Sequence, residues 1–197
     1  MSAASGAPPR PFAWVMRGRC WRLGHDVPHM GGVVPMRIVS EMWHDPQAIV
    51  PHLFEETDPG FHERCRPGDI IVAGRNFGMG PKMQGYLAMH ALGLGLVCES
   101  MSFLAWREAI GIGLPVLTDC TDATAACATG DELEVDFRAG RLRNLTRGTE
   151  QHFKGIPPAL HEVVEAGGTT AWLKAWWARQ GSSAAAAASA AITRQEI

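Results

Sequence analysis

The residues best suited to chemistry lie in one glycine-rich segment, GRNFGMGPKMQ at 74–84. Gly78 and Gly80 permit tight turns and a close approach of a ligand to backbone N–H groups. Lys82 adds a positive charge just before a predicted helix. These features favour an anion such as a dicarboxylate or tricarboxylate. The segment matches neither the Walker A pattern nor the full dinucleotide pattern, and a glycine-rich connection without any ligand remains an open alternative.

Further polar residues, His25, Asp26 and His29, fall in a loop-like stretch at 24–32. Because histidine exchanges protons near neutral pH, His29 is a candidate proton carrier that faces the same cleft. An exposed loop histidine without a role would look the same, so both interpretations stay open. Lys82 is predicted as a carboxylate clamp rather than a base, because a lysine must lose several pKa units before it accepts protons near neutrality.

The pattern around these segments predicts an α/β fold. A short apolar run after Asp69 is typical of a buried strand, and helices alternate with strands beyond it. In such a sheet, ligands bind beyond the carboxyl ends of the strands, where 74–84 would lie. The predicted strands are 13–23, 70–74, 94–98, 115–118 and a hairpin of 132–137 with 141–146; the predicted helices are 45–54, 85–92, 103–110, one starting at 157–158, and 171–179. In the last helix, Trp172, Trp176 and Trp177 are predicted to pack on the sheet.

The 197-residue chain has 18 basic and 20 acidic residues, for a net charge of −2, without blocks of either sign. We therefore expect no nucleic-acid and no membrane partner. Five cysteines lack the spacing of a redox motif, a zinc site or a complete cluster site, so we predict no metal site and expect buried thiols in a reducing cytoplasm. One domain at 13–180 is expected between a flexible arm at 1–12 and a low-complexity Ala/Ser-rich tail at 181–197.

The stretch GDIIVAGRNFGMG at 68–80 resembles the signature of the aconitase swivel domain, in its separate form as the small subunit of 3-isopropylmalate dehydratase. Four more segments resemble that family in the same order: GRCWRLGHDV at 18–27, DPQAIVPHLFEETDPGF at 45–61, SFLAWREAIGIGLPVL at 102–117 and EVVEAGGTTAWLKAW at 162–176. The resemblance implies a swivelling β/β/α domain of the α/β class, with a mostly parallel central sheet and flanking helices.

The resemblance also implies a function. The chain would be the small subunit of a two-component hydro-lyase, inactive alone, that isomerises or dehydrates a 2-hydroxy dicarboxylic acid in leucine and other branched-chain amino acid biosynthesis. It would give substrate contacts to a large subunit, in a heterodimer or heterotetramer, and the [4Fe-4S] cluster would belong to that partner. Two alternatives stay open: a non-catalytic swivel protein that regulates or scaffolds a large subunit, and an unrelated small-molecule binding module.

The sequence departs from the family at the catalytic loop, which in the family reads Gly-x-Gly-Ser-Ser-Arg-Glu. Its first Ser is the base and its Arg clamps a carboxylate. Here Pro81 replaces that Ser, Lys82 the second Ser, Met83 the Arg and Gln84 the Glu, so the hydroxyl and the guanidinium are both missing. The family's Asp-x-Asp-Thr-Asp entry loop is likewise replaced by HDVPHMGG at 25–32. A site remodelled in evolution and a site released from its function would both show such a change, and we favour remodelling.

These considerations assign catalytic roles to Lys82 and His29. Arg37 is predicted as a replacement clamp, because in the resembling subunits the segment after Pro35 recognises the variable part of the substrate. The other predicted substrate contacts are Asn76, Gly78, Gly80, Pro81, Lys82 and Gln84.

Overall fold

A computed structural model of the protein describes residues 12–80 and 83–180. The strands are β1 Val15–Arg22, β2 Ile70–Ala73, β3 Gly95–Cys98, β4 Val116–Leu117, β5 Glu132–Asp136, β6 Arg141–Asn144 and β7 Thr149–His152. They form one seven-stranded sheet in the order β4-β3-β2-β1-β5-β6-β7. The glycine-rich loop therefore follows a strand in the interior of the sheet.

The sheet has a parallel half and an antiparallel half. Strands β1 to β4 pair in parallel, whereas β5 lies antiparallel to β1 and leads into β6 and β7. All residues of β2 and β3 are buried, which explains their unbroken apolar sequences. The predicted parallel strands and the hairpin are confirmed. Strand β7 was not predicted, because its polar sequence is that of a solvated edge strand.

Helices connect the parallel strands and cover the domain. They are α1 Met36–Ser40, α2 Pro46–Ile49, α3 Phe61–Arg64, α4 Gln84–Leu92, α5 Phe103–Ile112, α6 Ala123–Ala126 and α7 His161–Glu165. Short 3-10 turns occupy Val50–His52 and Pro158–Leu160. A further helix, α8, spans 169–180.

Local capping sets the ends of the two helices that follow β2 and β3. Ser102 Oγ accepts a hydrogen bond from the Ala105 N–H at 3.1 Å and starts α5. Gly93 and Gly113, both in the left-handed conformation, end α4 and α5. Because each helix follows a parallel strand directly, its amino end lies at the edge of the sheet where the strands have their carboxyl ends.

The packing predicted for the tryptophans of α8 is wrong. Trp177 is 72% exposed and Trp176 is 37% exposed. Trp172 is half-buried, with its indole N–H 3.4 Å from Glu162. The place beside α5 is taken by α7, so α8 approaches the domain mainly at its start, where Gly168 lies close to the backbone of α5.

The predicted arm and tail fall on residues 1–11 and 181–197, which lie outside the described residues. Phe12, predicted as the last residue of the arm, instead packs edge-on against Trp14 with ring centroids 4.7 Å apart. Among residues 12–80 and 83–180, no helix has the length and apolar character needed to cross a bilayer.

Candidate active site

The candidate site lies where the carboxyl ends of β1, β2 and β3 meet. Two loops run side by side there, one after β1 and one after β2. Four backbone hydrogen bonds join them: Gly74 N–H to Gly24 O at 3.0 Å, Asp26 N–H to Arg75 O at 2.8 Å, Gly78 N–H to Val27 O at 2.8 Å and His29 N–H to Met79 O at 3.0 Å. The glycine-rich segment is called here the β2 loop (residues 74–83), and this pairing fixes its part 74–79 against the β1 loop (residues 24–34).

The segment after β3 holds the β2 loop from the other side. Ser100 accepts two hydrogen bonds, from the Asn76 N–H to its Oγ and from the Phe77 N–H to its carbonyl, both at 2.9 Å. Asn76 Nδ2 donates to Asp26 Oδ1 at 3.0 Å. Asn76, predicted to contact substrate, thus has its amide N–H engaged in bracing the two loops, and its Oδ1 is the atom left for a ligand.

Two glycines in the β2 loop serve different purposes. Gly78 is buried with φ +68, and a side chain there would overlap the Tyr86 hydroxyl. The phenol itself is buried, and burial raises the pKa of Tyr86. Gly80 has φ +112, and a side chain there would meet no described atom within 4 Å. Gly78 is therefore needed for packing against α4, while Gly80 is the glycine whose backbone is open to a ligand.

Gln84 begins α4 at the end of the β2 loop. It is only 4% exposed, and its Oε1 has no hydrogen-bond partner among the described residues. A buried amide without a partner is unusual and is costly unless a group is supplied to it. This position suits the predicted substrate contact. Pro81 and Lys82, also predicted as site residues, lie outside the described residues.

The prediction that His29 faces the cleft is wrong. Its exposure is 0%, its Nε2 accepts a hydrogen bond from the Gly85 N–H at 3.1 Å, and its ring packs edge-on against Tyr86. Gly85 makes this approach possible, because a side chain there would collide with Val33 and crowd the imidazole. His29 therefore satisfies an N–H in the first turn of α4, and that use occupies the nitrogen a proton carrier would need.

Arg37 is also engaged elsewhere. Its guanidinium donates to Glu55 Oε2 at 2.7 Å, and His52 Nδ1 lies 2.7 Å from the same oxygen. These contacts, from His52 first and then Arg37, hold the pKa of Glu55 below its ordinary value. A substrate carboxylate at Arg37 would therefore have to share the guanidinium with Glu55.

A polar cluster that the sequence did not single out lies at the same edge. Glu99 follows β3, and its Oε1 accepts hydrogen bonds from the hydroxyl and the N–H of Thr124. These bonds are the main cause that lowers the pKa of Glu99 below its ordinary value. Its Oε2 lies 3.8 Å from Nδ1 of His25, whose side chain is 45% exposed. Because ligands bind beyond the carboxyl ends of parallel strands in general, residues after β1 and β3 are candidates on the same ground as those after β2.

The described residues do not form a site for a metal or a cluster. No three His, Cys, Asp or Glu side chains among them converge so that they could hold an ion. All five cysteines are buried and unpaired. Burial raises the pKa of Cys98 to about 12 and also raises the pKa of Cys65, which disfavours the thiolate form that binds iron.

An apolar rim borders the site. Four side chains around the β2 loop and the start of α5 are exposed: Met79, Met83, Phe103 and Leu104. Phe103 is 67% exposed and stacks under the guanidinium of Arg107. Large apolar side chains left exposed near a polar opening are typical of a surface that another protein covers.

No family model matches the chain. It is 33% identical over 161 residues to the 3-isopropylmalate dehydratase small subunit of Thermodesulfovibrio yellowstonii, covering 81% of this chain and 94% of that protein. It is 38% identical over 156 residues to the methanogen homoaconitase small subunit of Methanothermobacter thermautotrophicus, covering 78% and 88%. The crystal structure of 3-isopropylmalate dehydratase from Methanocaldococcus jannaschii matches with a TM-score of 0.75 at 25% identity, covering 86% of this chain and 99% of that one.

Proposed function

We propose that this chain, which belongs to the family of 3-isopropylmalate dehydratase small subunits, works as the small subunit of a two-component hydro-lyase acting on a 2-hydroxy dicarboxylic acid. The observation that carries the proposal is an incomplete site. At the start of α4, the buried Oε1 of Gln84 has no hydrogen-bond partner among the described residues, and Met83 of the exposed apolar rim is the next residue in the chain. A second protein seated on the rim would close the polar opening and exclude water from it.

In the proposed reaction, a hydroxyl leaves one carbon and a proton leaves its neighbour, so that water and a C=C bond form; rehydration reverses these changes. The part of this chain is to bind and orient. The open Gly80 backbone, the amino end of α4 and Lys82 would attract the carboxylates. We assign Lewis-acid activation of the leaving hydroxyl to a [4Fe-4S] cluster in the large subunit.

The same proposal includes a cellular compartment and a pathway. We place the complex in the cytoplasm and in branched-chain amino acid biosynthesis, most directly the leucine branch. The unpaired cysteines suit a reducing compartment, and the relatives named as 3-isopropylmalate dehydratase small subunits support the pathway.

One observation favours a second function. Pro81 and Met83 stand where the resembling loop has its serine base and its arginine clamp, so the usual catalytic groups are missing. A non-catalytic chain that regulates or scaffolds a large subunit would keep the apolar rim without them. This candidate predicts assembly without turnover.

The experiment that separates the two is in-trans reconstitution. The large subunit from the same organism is purified anaerobically with its cluster, mixed with this chain, and supplied with 3-isopropylmalate or citramalate; alkene formation is followed by ultraviolet absorbance, and assembly by size-exclusion chromatography. Turnover that requires both proteins supports the hydro-lyase. A stable complex without turnover on either acid supports the regulator, and failure to assemble contradicts both.

Assembly itself has a matched test on the rim. Phe103→Ser should weaken the complex, whereas Leu173→Ser, which also replaces an exposed apolar side chain but on α8, should leave it intact. Equal binding by both variants would place the partner elsewhere.

A further inference from the structure

We infer that His25 and Arg75 are a pair of hydrogen-bond donors that bind a carboxylate of the substrate. This inference rests on the proposed function and names two described residues of this chain as its anion-binding groups. The two residues lie in the paired β1 and β2 loops, just beyond the carboxyl ends of neighbouring parallel strands. Both are exposed.

The geometry of His25 makes it a donor rather than a base. Its Nδ1 accepts the Arg75 N–H at 2.9 Å, so in the neutral ring the hydrogen sits on Nε2. The Nδ1 edge rests over Gly74, where any side chain would collide with it. The imidazole is thus fixed in one tautomer, and the nitrogen that is not tied to the backbone carries an N–H toward an incoming acceptor.

Arg75 is a cation on a fixed backbone. Its N–H is bound by His25, and its carbonyl accepts the Asp26 N–H at 2.8 Å. Among residues 12–80 and 83–180 its guanidinium forms no ion pair within 4.0 Å, in contrast to Arg37, although its charge is one of the lesser causes that lower the pKa of Glu99. A guanidinium offers donors only and matches a carboxylate in a two-point contact.

The neighbouring carboxylates belong to the scaffold. Glu99 is bound by Thr124, and Asp26 accepts the amide N–H of Asn76. Their negative charge opposes a second anion, so binding at this place requires a cation as well as a neutral donor. Arg75 supplies the cation, and we therefore expect its loss to matter more than the loss of the His25 N–H.

The test uses the reconstituted complex with 3-isopropylmalate. Arg75→Gln is expected to raise KM about tenfold with little change in kcat, and Arg75→Lys to lie between it and the wild type. His25→Asn keeps an acceptor for the Arg75 N–H but removes the Nε2–H, and is expected to raise KM about threefold. Arg179→Gln, an exposed arginine on α8, is the matched control and should change nothing.

A second measurement keeps the inference separate from the proposed function. In the free chain, addition of 3-isopropylmalate should shift the side-chain 15N signals of Arg75 and His25, whereas sodium chloride at equal ionic strength should not. If these shifts occur but the complex shows no turnover, the carboxylate site is supported and the hydro-lyase function is contradicted. If the wild-type complex is active, the inference is overturned when the Arg75→Gln and His25→Asn variants keep the wild-type KM. If the complex is inactive, the inference is overturned when the free chain shows no shifts of these signals.

Discussion

The two ends of the parallel strands form opposite edges of the sheet with different characters. The amino-end edge carries a cavity of about 550 Å³ lined mainly by apolar residues, among them Phe12, Val15, Leu94 and Val164. The carboxyl-end edge has paired loops, a buried amide without a described partner and an exposed apolar rim. By size alone the first edge would be the binding site, yet ligand chemistry is concentrated at the second.

Cavity volume is therefore a poor guide to a site that is shared between two proteins. A self-contained pocket combines apolar walls with several convergent polar groups. The amino-end cavity has two polar side chains among its lining residues, Arg17 and His90, and Arg17 is paired with Glu132. At the carboxyl-end edge, the polar groups are in place and the enclosing wall would come from a partner.

The largest effect is expected for Lys82→Ala at the carboxyl-end edge. Loss of a charge-assisted contact with the substrate should lower kcat/KM about a hundredfold, corresponding to ~2.7 kcal/mol. Steady-state kinetics on the reconstituted complex measures it, with chromatography to verify assembly. Lys174→Ala, exposed on α8, is the control. Equal kinetics for the two variants would remove Lys82 from the site.

The next effect tests whether the β2 loop is braced by α4. Gly78→Ala combines a left-handed backbone with a side chain that overlaps Tyr86, and should lower the free energy of unfolding by about 2 kcal/mol. Gly130→Ala has φ +97 but open space around it, so it should cost only about 1 kcal/mol. Urea unfolding compares the two. A Gly78→Ala variant no less stable than Gly130→Ala would show that the Tyr86 contact is unimportant.

A smaller effect concerns pH. The lowered pKa of Glu99 means that its stabilising contribution is present above the ordinary carboxyl pKa and is lost as the pH falls through the lowered value. Thr124→Val removes the hydroxyl donor that is the main cause of the lowered pKa, so the pKa of Glu99 should rise. The variant should then lose less stability on acidification than the wild type. A 13C titration of Glu99 and urea unfolding at neutral and acid pH measure the two changes. An unaltered titration would contradict the assignment.

The smallest effect is expected at the amino-end edge. Ala91→Met places a flexible side chain at the wall of the cavity and should change the free energy of unfolding by no more than about 1 kcal/mol. The KM and kcat of the complex should stay as in the wild type. A large loss of turnover with assembly intact would reverse the comparison and give the amino-end cavity a functional role.

The elements that depend on local pattern follow from the sequence. Apolar runs predict β2 and β3, and a glycine-rich segment between a strand and a helix places the β2 loop at the carboxyl-end edge, because the period of apolar residues and the succession of strand, loop and helix are properties of neighbouring residues. Pro81 and Met83 likewise show a departure from the resembling loop.

Which polar side chains remain available depends on the tertiary structure. His29 is buried and bonded to Gly85, 56 residues further along the chain, and Arg37 is paired with Glu55, 18 residues further. Trp177 is exposed because α7 occupies the place beside α5. These outcomes depend on contacts between distant segments. The type and spacing of neighbouring residues do not specify which distant group a side chain contacts.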